Sequence, residues 1–111
     1  MAALVDRYFK TLTEQEEEAV LAMCSRIEMS KGEVLFKKGE QSTSMYIVVE
    51  GEFTVTDEKP AQKVYISSIH PGGLIGEMSF LDESPRSATV TAKENSVILR
   101  MNKEDFVRTL L

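Results

Sequence analysis

From residue 31 onward the sequence consists of short β-prone runs that are separated by glycine and proline. The runs span residues 34–36, 46–49, 53–55, 64–66, 89–91 and 97–99. The residues between them include Gly32, Gly39, Gly51, Pro60, Pro71, Gly72 and Gly73. Several short strands at close, turn-marked spacing are typical of an antiparallel sandwich or barrel. This pattern predicts a mainly β fold, an antiparallel β-roll of jelly-roll type over about residues 31–101.

A helical pattern precedes this β-rich stretch. Thr13 and Glu16 have the spacing of a capping box, in which each side chain accepts a hydrogen bond from the other residue's backbone N–H. Apolar residues then recur at three- and four-residue spacing, at Ala19, Val20, Met23 and Ile27. We therefore expect a helix over about residues 13–27. The acidic run 14–18 falls at its start, where the helix dipole favours negative charge, and a binding patch for a partner is the alternative.

A second helical pattern follows the last β-prone run. Residues 102–105 read Asn-Lys-Glu-Asp, which suits the start of a helix. The apolar residues that follow are Phe106, Val107, Leu110 and Leu111. Their spacing predicts a helix over about residues 103–111, with an apolar face that needs a neighbour to bury it. Residues 1–111 are thus expected to form a single domain with a helix on each side of the β-roll.

Charge and cysteine content exclude several classes of protein. The net charge of −5 argues against a nucleic-acid partner, because phosphate binding needs concentrated lysine and arginine. No apolar run is long enough to span a membrane, and the N-terminus lacks a signal-peptide pattern. Cys24 is the only cysteine, so no disulfide or cysteine-based metal cluster can form within the chain. These features favour a cytoplasmic protein without a membrane segment.

Residue types that commonly carry catalysis are scarce in this sequence. His70 is the only histidine, so a histidine-cluster metal site cannot be assembled, and no other histidine can serve a serine as base. It precedes Pro71-Gly72-Gly73 and is expected in a turn. The six methionines and five phenylalanines fall among apolar neighbours, which indicates core packing. We therefore predict no catalytic residue and no metal site, and an enzyme is disfavoured.

Residues 75–88, which read IGEMSFLDESPRSA, combine groups that suit one small anionic ligand. Gly76 lets the backbone approach a ligand closely, and Glu77 is an acceptor-only carboxylate suited to sugar hydroxyls. Arg86 offers a planar fork that matches two phosphate oxygens, and Ser87 adds a hydroxyl beside it. A ribose monophosphate would satisfy both ends of the loop. From the residues alone, a surface turn in which Glu77 and Arg86 pair only with each other is the alternative.

This stretch closely resembles the phosphate-binding cassette of cyclic nucleotide-binding domains. Such domains occur in regulatory subunits of cAMP-dependent kinase, cyclic-nucleotide-gated channels and bacterial cAMP-responsive transcription factors. The cassette reads approximately Gly-Glu-aliphatic-small-aliphatic, then a short loop, then Arg-(Ala/Ser/Thr)-Ala. Here these parts are GEMSF at 76–80, LDESP at 81–85 and RSATV at 86–90. The resemblance extends upstream to KGEVLFKKGEQSTSMYIVVEGEFTV and downstream to LRMNKEDFVRTLL, so it covers nearly the whole chain.

The resemblance implies a role for individual cassette residues. Glu77 would accept a hydrogen bond from the ribose 2′-hydroxyl, and Arg86 would bind the cyclic phosphate. Backbone N–H groups near Gly76, Glu77, Ser87 and Ala88 would assist Arg86, and the Ser87 side chain would touch the phosphate or the base. The implied ligand-binding residues are Gly76, Glu77, Met78, Ser79, Arg86, Ser87 and Ala88.

The resemblance also implies a ligand and a mode of signalling. The Arg-Ser-Ala triplet at 86–88 resembles that of bacterial cAMP-responsive proteins, so we expect cAMP in preference to cGMP and no other cofactor. In the family the helix after the β-roll shifts on binding, and the effector domain or protein is expected to lie outside this chain. A homodimer is one candidate assembly. Two alternatives stay open: a ligand-free β-roll domain that acts through protein–protein contacts, and a β-roll enzyme.

Overall fold

The computed structural model describes residues 13–59 and 61–110. Within them the chain forms three helices and eight strands. The helices are α1 (Glu14–Ala22), α2 (Glu77–Asp82) and α3 (Lys103–Leu110). The strands are β1 (Ser25–Met29), β2 (Val34–Phe36), β3 (Met45–Glu50), β4 (Phe53–Lys59), β5 (Gln62–Ile69), β6 (Leu74–Ile75), β7 (Thr89–Ala92) and β8 (Ser96–Met101). None of the helices in this part of the chain is long and apolar enough to cross a membrane.

The strands form two four-stranded antiparallel sheets. One has the order β1-β8-β3-β6 and the other β2-β7-β4-β5. Every pairing is antiparallel, from β1 with β8 at one end of the first sheet to β4 with β5 at one end of the second. The predicted antiparallel β-roll with helices on both sides is therefore confirmed.

The inner faces of the two sheets bury the main apolar core. Its members come from both sheets: Met29, Phe36, Tyr46, Val48, Phe53, Ile75, Val90, Ala92 and Ile98. Phe53 and Ile98 lie at its centre with no exposed surface. Burial of such side chains contributes roughly 1.5–3 kcal/mol each to folding, so this cluster is the principal source of stability.

A second apolar cluster lies beneath the helices. It joins Val20 of α1, Met45 and Ile47 of β3, Phe80 of α2 and Met101 of β8. Successive side chains of a strand point to opposite faces of its sheet, so Met45 and Ile47 face the helices while Tyr46 and Val48 face the inter-sheet core. The continuous apolar run in β3 is the consequence of this double burial.

The first helix is shorter than its sequence pattern predicts. Its capping box is confirmed, because Thr13 and Glu16 exchange side chain–backbone hydrogen bonds of 3.0 and 3.2 Å. The extension to residue 27 is wrong, since the helix ends at Ala22 and Ser25–Met29 is strand β1. Ile27 of β1 pairs with Ile98 of β8, and this long-range contact overrides the local helical spacing.

The last helix agrees with its prediction over Lys103–Leu110, while Leu111 lies outside the described residues. Its expected apolar face is only partly covered. Phe106 packs against the cluster beneath the helices, whereas 41% of Val107 is exposed. The side chains at 110 and 111 lie outside the described part of the chain.

The strand assignment of residues 25–29 predicts that neighbouring substitutions differ sharply. Ile27→Asn should lower the free energy of unfolding by about 2 kcal/mol, because Ile27 packs against the inter-sheet core. Arg26→Asn should change it by less than about 0.5 kcal/mol, because its side chain is 58% exposed on the opposite face. Urea unfolding of the two variants measures both values, and equal destabilisation would contradict the strand.

Candidate functional site

A cleft of about 220 Å³ opens beside α2. Its walls are formed by α2, by the segment that leads from α2 into β7, and by strands of both sheets. The lining residues are Phe36, Val55, Ser67, Ile69, Leu74, Ile75, Gly76, Glu77, Met78, Ser79, Arg86, Ser87, Ala88 and Val90. All seven residues that the sequence predicted as ligand-binding therefore line one cleft.

Arg86 carries the positive charge of this cleft, and it is 97% buried, with only 3% of its surface exposed. Its Nη2 donates a hydrogen bond of 2.8 Å to the carbonyl oxygen of Ser44, and Nη1 donates a longer one of 3.4 Å to Gly76. The guanidinium carbon lies 4.2 Å from the centroid of the Phe36 ring, a cation–π distance. The buried Nε has no hydrogen-bond partner.

Glu40 and Tyr46 interact favourably with the charge of Arg86, but no carboxylate among the described residues forms an ion pair with it. Removal of the guanidinium from water lowers the pKa of Arg86, although arginine stays protonated in proteins. A buried, charged and partly unpaired donor costs free energy unless an anion approaches it. This arrangement favours binding of an anion.

Glu77 lines the same cleft but does not pair with Arg86. It begins α2, where a carboxylate is favoured by the helix dipole, and its side chain is exposed. The alternative of a surface turn held by a Glu77–Arg86 pair is wrong, because Arg86 is buried and bonds to carbonyl oxygens instead. The carboxylate therefore stays available as an acceptor at the mouth of the cleft.

The backbone at the start of α2 also has hydrogen-bond donors beside the cleft. Gly76 precedes the helix with φ of 78°, a left-handed conformation that glycine adopts without strain. The first intrahelical bond runs from the Phe80 N–H to the Gly76 carbonyl at 3.2 Å. The N–H groups of residues 77–79 consequently have no acceptor inside the helix.

The other predicted residues differ in how they meet the cleft. Ser79 and Ala88 are buried in its wall, whereas Ser87 is exposed at its rim. Met78 lines the cleft, yet 58% of it is exposed, so it forms an edge rather than a floor.

Sequence reasoning missed the strand residues of the site. Phe36 and Val55 are apolar positions in β-prone runs, and nothing in the sequence separates such positions from the core. Ser67 of β5 left no signal either, because nothing in the Ser67-Ser68 pair marks a strand serine as part of a site. Ser44 acts through its backbone carbonyl, which every residue type carries.

Cys24 and His70, the only cysteine and the only histidine of the sequence, lie outside the cleft. Burial raises the pKa of the Cys24 thiol to about 11, and the thiol donates to the Val20 carbonyl at 3.3 Å. His70 follows β5 in a turn closed by the Gly73 N–H, and its Nδ1 lies 3.5 Å from a Glu52 carboxylate oxygen. Within the described residues no three histidine, cysteine or acidic side chains group as a metal site would require.

Comparison with known proteins identifies the family. The family model for the cyclic nucleotide-binding domain matches residues 26–111. The chain belongs to the cyclic nucleotide-binding domain family. This match covers the whole cleft, from the Phe36 ring to the residues that follow Arg86.

Relatives within this family place the domain in different contexts. A Rap guanine nucleotide exchange factor 3 from Mus musculus is 34% identical over 80 residues, which is 71% of this chain and 8% of that protein. A cyclic AMP receptor protein from Thermus thermophilus is 30% identical over 100 residues, or 89% of this chain and 46% of that protein. The chain thus spans less than half the length of either relative.

A solved structure of a cyclic nucleotide-binding-like protein from Brucella abortus shows the same fold. It superposes with a TM-score of 0.91 at 23% identity, and the match covers 98% of this chain and 96% of that one. At this identity the likeness concerns the fold alone.

The close approach of Gly76 to Arg86 predicts a specific sensitivity to a methyl group. A Cβ at residue 76 would overlap Nη1 of Arg86 and lie 3.3 Å from the Ser44 carbonyl oxygen. Gly32 has φ of 92° and open space around it, so Gly32→Ala measures backbone strain alone, about 1–2 kcal/mol. We expect Gly76→Ala to lower the free energy of unfolding by at least about 1 kcal/mol more.

Urea unfolding of the two glycine variants provides this comparison. A further control introduces Gly76→Ala into the Arg86→Ala variant, in which the overlap with the guanidinium is gone. In that background Gly76→Ala should lower the free energy of unfolding by no more than Gly32→Ala does. An equal cost for Gly76→Ala and Gly32→Ala in the wild-type background would show that Arg86 does not occupy this position.

Proposed function

We propose that this domain binds a 3′,5′-cyclic nucleotide in the cleft and acts as a regulatory sensor. The observation that carries the proposal is the buried guanidinium of Arg86, which has no carboxylate partner and faces the same cleft as Glu77. The family to which the chain belongs makes a cyclic nucleotide the ligand class to test first.

The phosphate is assigned to Arg86. Its Nε is buried without a partner and the bond from Nη1 to the Gly76 carbonyl is long, so a shift of the side chain toward a phosphate gains acceptors without loss of the Ser44 bond. The N–H groups at the start of α2 add neutral donors nearby. This local arrangement explains how a domain with a net charge of −5 can hold an anion. Charge-assisted hydrogen bonds contribute roughly 1.5–3 kcal/mol each.

The ribose is assigned to Glu77. A carboxylate beside a bound phosphate is repulsive unless a donor lies between the two groups. The 2′-hydroxyl of ribose supplies that donor, and Glu77 can only accept. The two ends of the 76–88 segment therefore bind two ends of one ligand, with Gly76 allowing the backbone to come close.

The base is assigned to the strand side of the cleft. Val55, Ile69 and Leu74 offer apolar surface for a purine ring, and Ser67 and Ser87 offer hydroxyls at its edge. We infer cAMP as the preferred ligand, because the 86–88 triplet resembles that of bacterial cAMP-responsive proteins. The relative from Thermus thermophilus is named a cyclic AMP receptor protein, which supports this choice.

The signal is assigned to α3. Phe106 packs edge-on against Phe80 of α2, with ring centroids 5.4 Å apart, so the last helix rests on the wall of the cleft. A ligand can bias the position of α3 only if it binds one position better than another. From the sequence we further predict a non-catalytic role, an effector outside this chain and a cytoplasmic location. A homodimer is one candidate assembly.

One observation favours a second function for the same fold. Met78 and Leu81 of α2 are 58% and 69% exposed, so this short helix presents two large apolar side chains to solvent. A domain that binds no nucleotide and acts through protein contacts at α2 is therefore the alternative. Titration with nucleotide separates the two functions.

Replacement of Arg86 should weaken cAMP binding strongly. Arg86→Ala should raise the dissociation constant by about 30- to 150-fold, equivalent to roughly 2–3 kcal/mol, because the main phosphate donor is lost. Arg86→Lys should fall between this variant and the wild type, because it keeps the charge but not the fork. Isothermal titration calorimetry at fixed ionic strength gives these values.

The matched control for the Arg86 variants is Arg26→Ala. It removes one cation from an exposed position of β1 and should leave the affinity within about twofold. Thermal unfolding without nucleotide must show that each variant is folded at the titration temperature. Unchanged affinity in a folded Arg86→Ala variant would refute the placement of the phosphate.

Selectivity between bases should depend on Ser87. In the family a threonine after the arginine often accompanies cGMP selectivity, and serine has the hydroxyl without the methyl that restricts its rotamer. We expect the wild type to prefer cAMP, and Ser87→Thr to raise the relative affinity for cGMP. Competition of both nucleotides against a fluorescent analogue measures the ratio. Equal or tighter binding of cGMP by the wild type would overturn the assignment of cAMP.

A further inference from the structure

A polar cluster centred on the buried Ser44 joins the cleft to the last helix. Ser44 lies immediately before β3, and 3% of it is exposed. Its carbonyl oxygen accepts the 2.8 Å hydrogen bond from Nη2 of Arg86. Its hydroxyl donates to Oδ1 of Asn102 at 2.7 Å and accepts from Nε of Arg100 at 3.1 Å. Ser44 therefore contacts Arg86 through its backbone carbonyl and contacts Arg100 and Asn102, at the end of β8, through its hydroxyl.

Asn102 gives this cluster its connection to α3. It immediately precedes the helix, and its carbonyl oxygen accepts the N–H of Phe106 at 3.1 Å. A displacement of Asn102 consequently displaces the first turn of α3. The helix thus has two separate links to the walls of the cleft, an apolar one between Phe80 and Phe106 and a polar one through Ser44.

The two roles of Ser44 can be separated chemically. Any substitution keeps the carbonyl group that accepts from Arg86, whereas Ser44→Ala removes only the hydroxyl that bonds to Asn102 and Arg100. Ser44 is buried, whereas Asn102 is half-buried and Arg100 is exposed, and hydrogen bonds that share one group polarise one another. The shared hydroxyl therefore ties the positions of its two partners to that of Ser44.

We infer that Ser44 is a positioning residue that couples Arg86 to α3, with its hydroxyl transmitting displacements of the guanidinium to the start of the helix. This inference rests on the proposed function, because the phosphate of the ligand is the group that would displace Arg86. A phosphate that draws Nε and Nη1 into new bonds pulls on the Ser44 carbonyl through Nη2. Ser44 then moves Asn102, and the coupling is reciprocal, so the position of α3 affects the binding of the nucleotide in turn.

Hydrogen exchange of the α3 amides, in the full chain with and without saturating cAMP, tests the coupling. The wild type should show exchange slowed or accelerated by about 3- to 10-fold on binding, and Ser44→Ala should show a change below about twofold. Ser96→Ala is the matched control. Ser96 is 4% exposed, also makes two hydrogen bonds through its hydroxyl, and contacts Glu94 and Glu52 rather than the cleft. It should behave as the wild type does.

A second experiment, hydrogen exchange of α3 without nucleotide, tests the coupling independently of nucleotide binding. Arg86→Lys alters the group that contacts the Ser44 carbonyl, so it should change exchange in α3 by at least about threefold in the wild-type background. In the Ser44→Ala background the same substitution should have no such effect. A change of equal size in both backgrounds, or a ligand response in Ser44→Ala equal to that of the wild type, would overturn the inference.

The two proposals therefore fail in different ways. Absence of binding by the wild type in both the cAMP titration and the competition against a fluorescent analogue refutes nucleotide binding and leaves the second experiment to decide the coupling. Normal binding together with an unchanged α3 response in Ser44→Ala refutes the coupling and leaves nucleotide binding intact.

Discussion

The arrangement of the cleft depends on the guanidinium of Arg86, which is held between the Phe36 ring and the Ser44 carbonyl oxygen. A buried cation is costly, and neutral partners offset that cost only in part. The backbone around it is fixed as well, because the Arg86 N–H bonds to the Glu40 carbonyl and the Gly39 N–H bonds to the Arg86 carbonyl, at 2.9 and 2.7 Å. The positive charge that these partners leave uncompensated lies at the cleft, where an anion can bind to it.

Strand β3 connects this site to the rest of the molecule. One of its faces packs in the inter-sheet core and the other packs beneath the helices, so it belongs to both apolar clusters. Ser44 stands at its start, directly before Met45. The proposed coupling from Arg86 to α3 therefore runs beside a tightly packed strand, and packed interiors transmit displacement. Ser44, which accepts the hydrogen bond from Arg86, is the neighbour in sequence of Met45 in the cluster beneath the helices.

The sequence was most informative where a particular residue type supplies the chemistry. Glu77 and Arg86 were predicted as ligand-binding residues from their chemistry together with the resemblance of residues 76–90 to the family's cassette, and the β-roll followed from turn residues between short β-prone runs. The end of α1 was not predictable, since Ile27 fits the spacing of a helix and the alternation of a strand equally well. Pairing with Ile98 decides between them. The hydrogen bond from Arg86 to Ser44 joins residues 42 positions apart and has a backbone acceptor, so no pattern of side chains predicts it.

Calorimetry with cAMP and 2′-deoxy-cAMP on the wild type and Glu77→Gln tests most directly whether Glu77 and Arg86 bind two ends of one cyclic nucleotide. The wild type should bind the deoxy ligand about tenfold more weakly than cAMP, because a charge-assisted hydrogen bond contributes roughly 1.5 kcal/mol or more. Glu77→Gln should discriminate between the two ligands by less than about threefold. An equal ratio of the two affinities in both proteins would contradict the account.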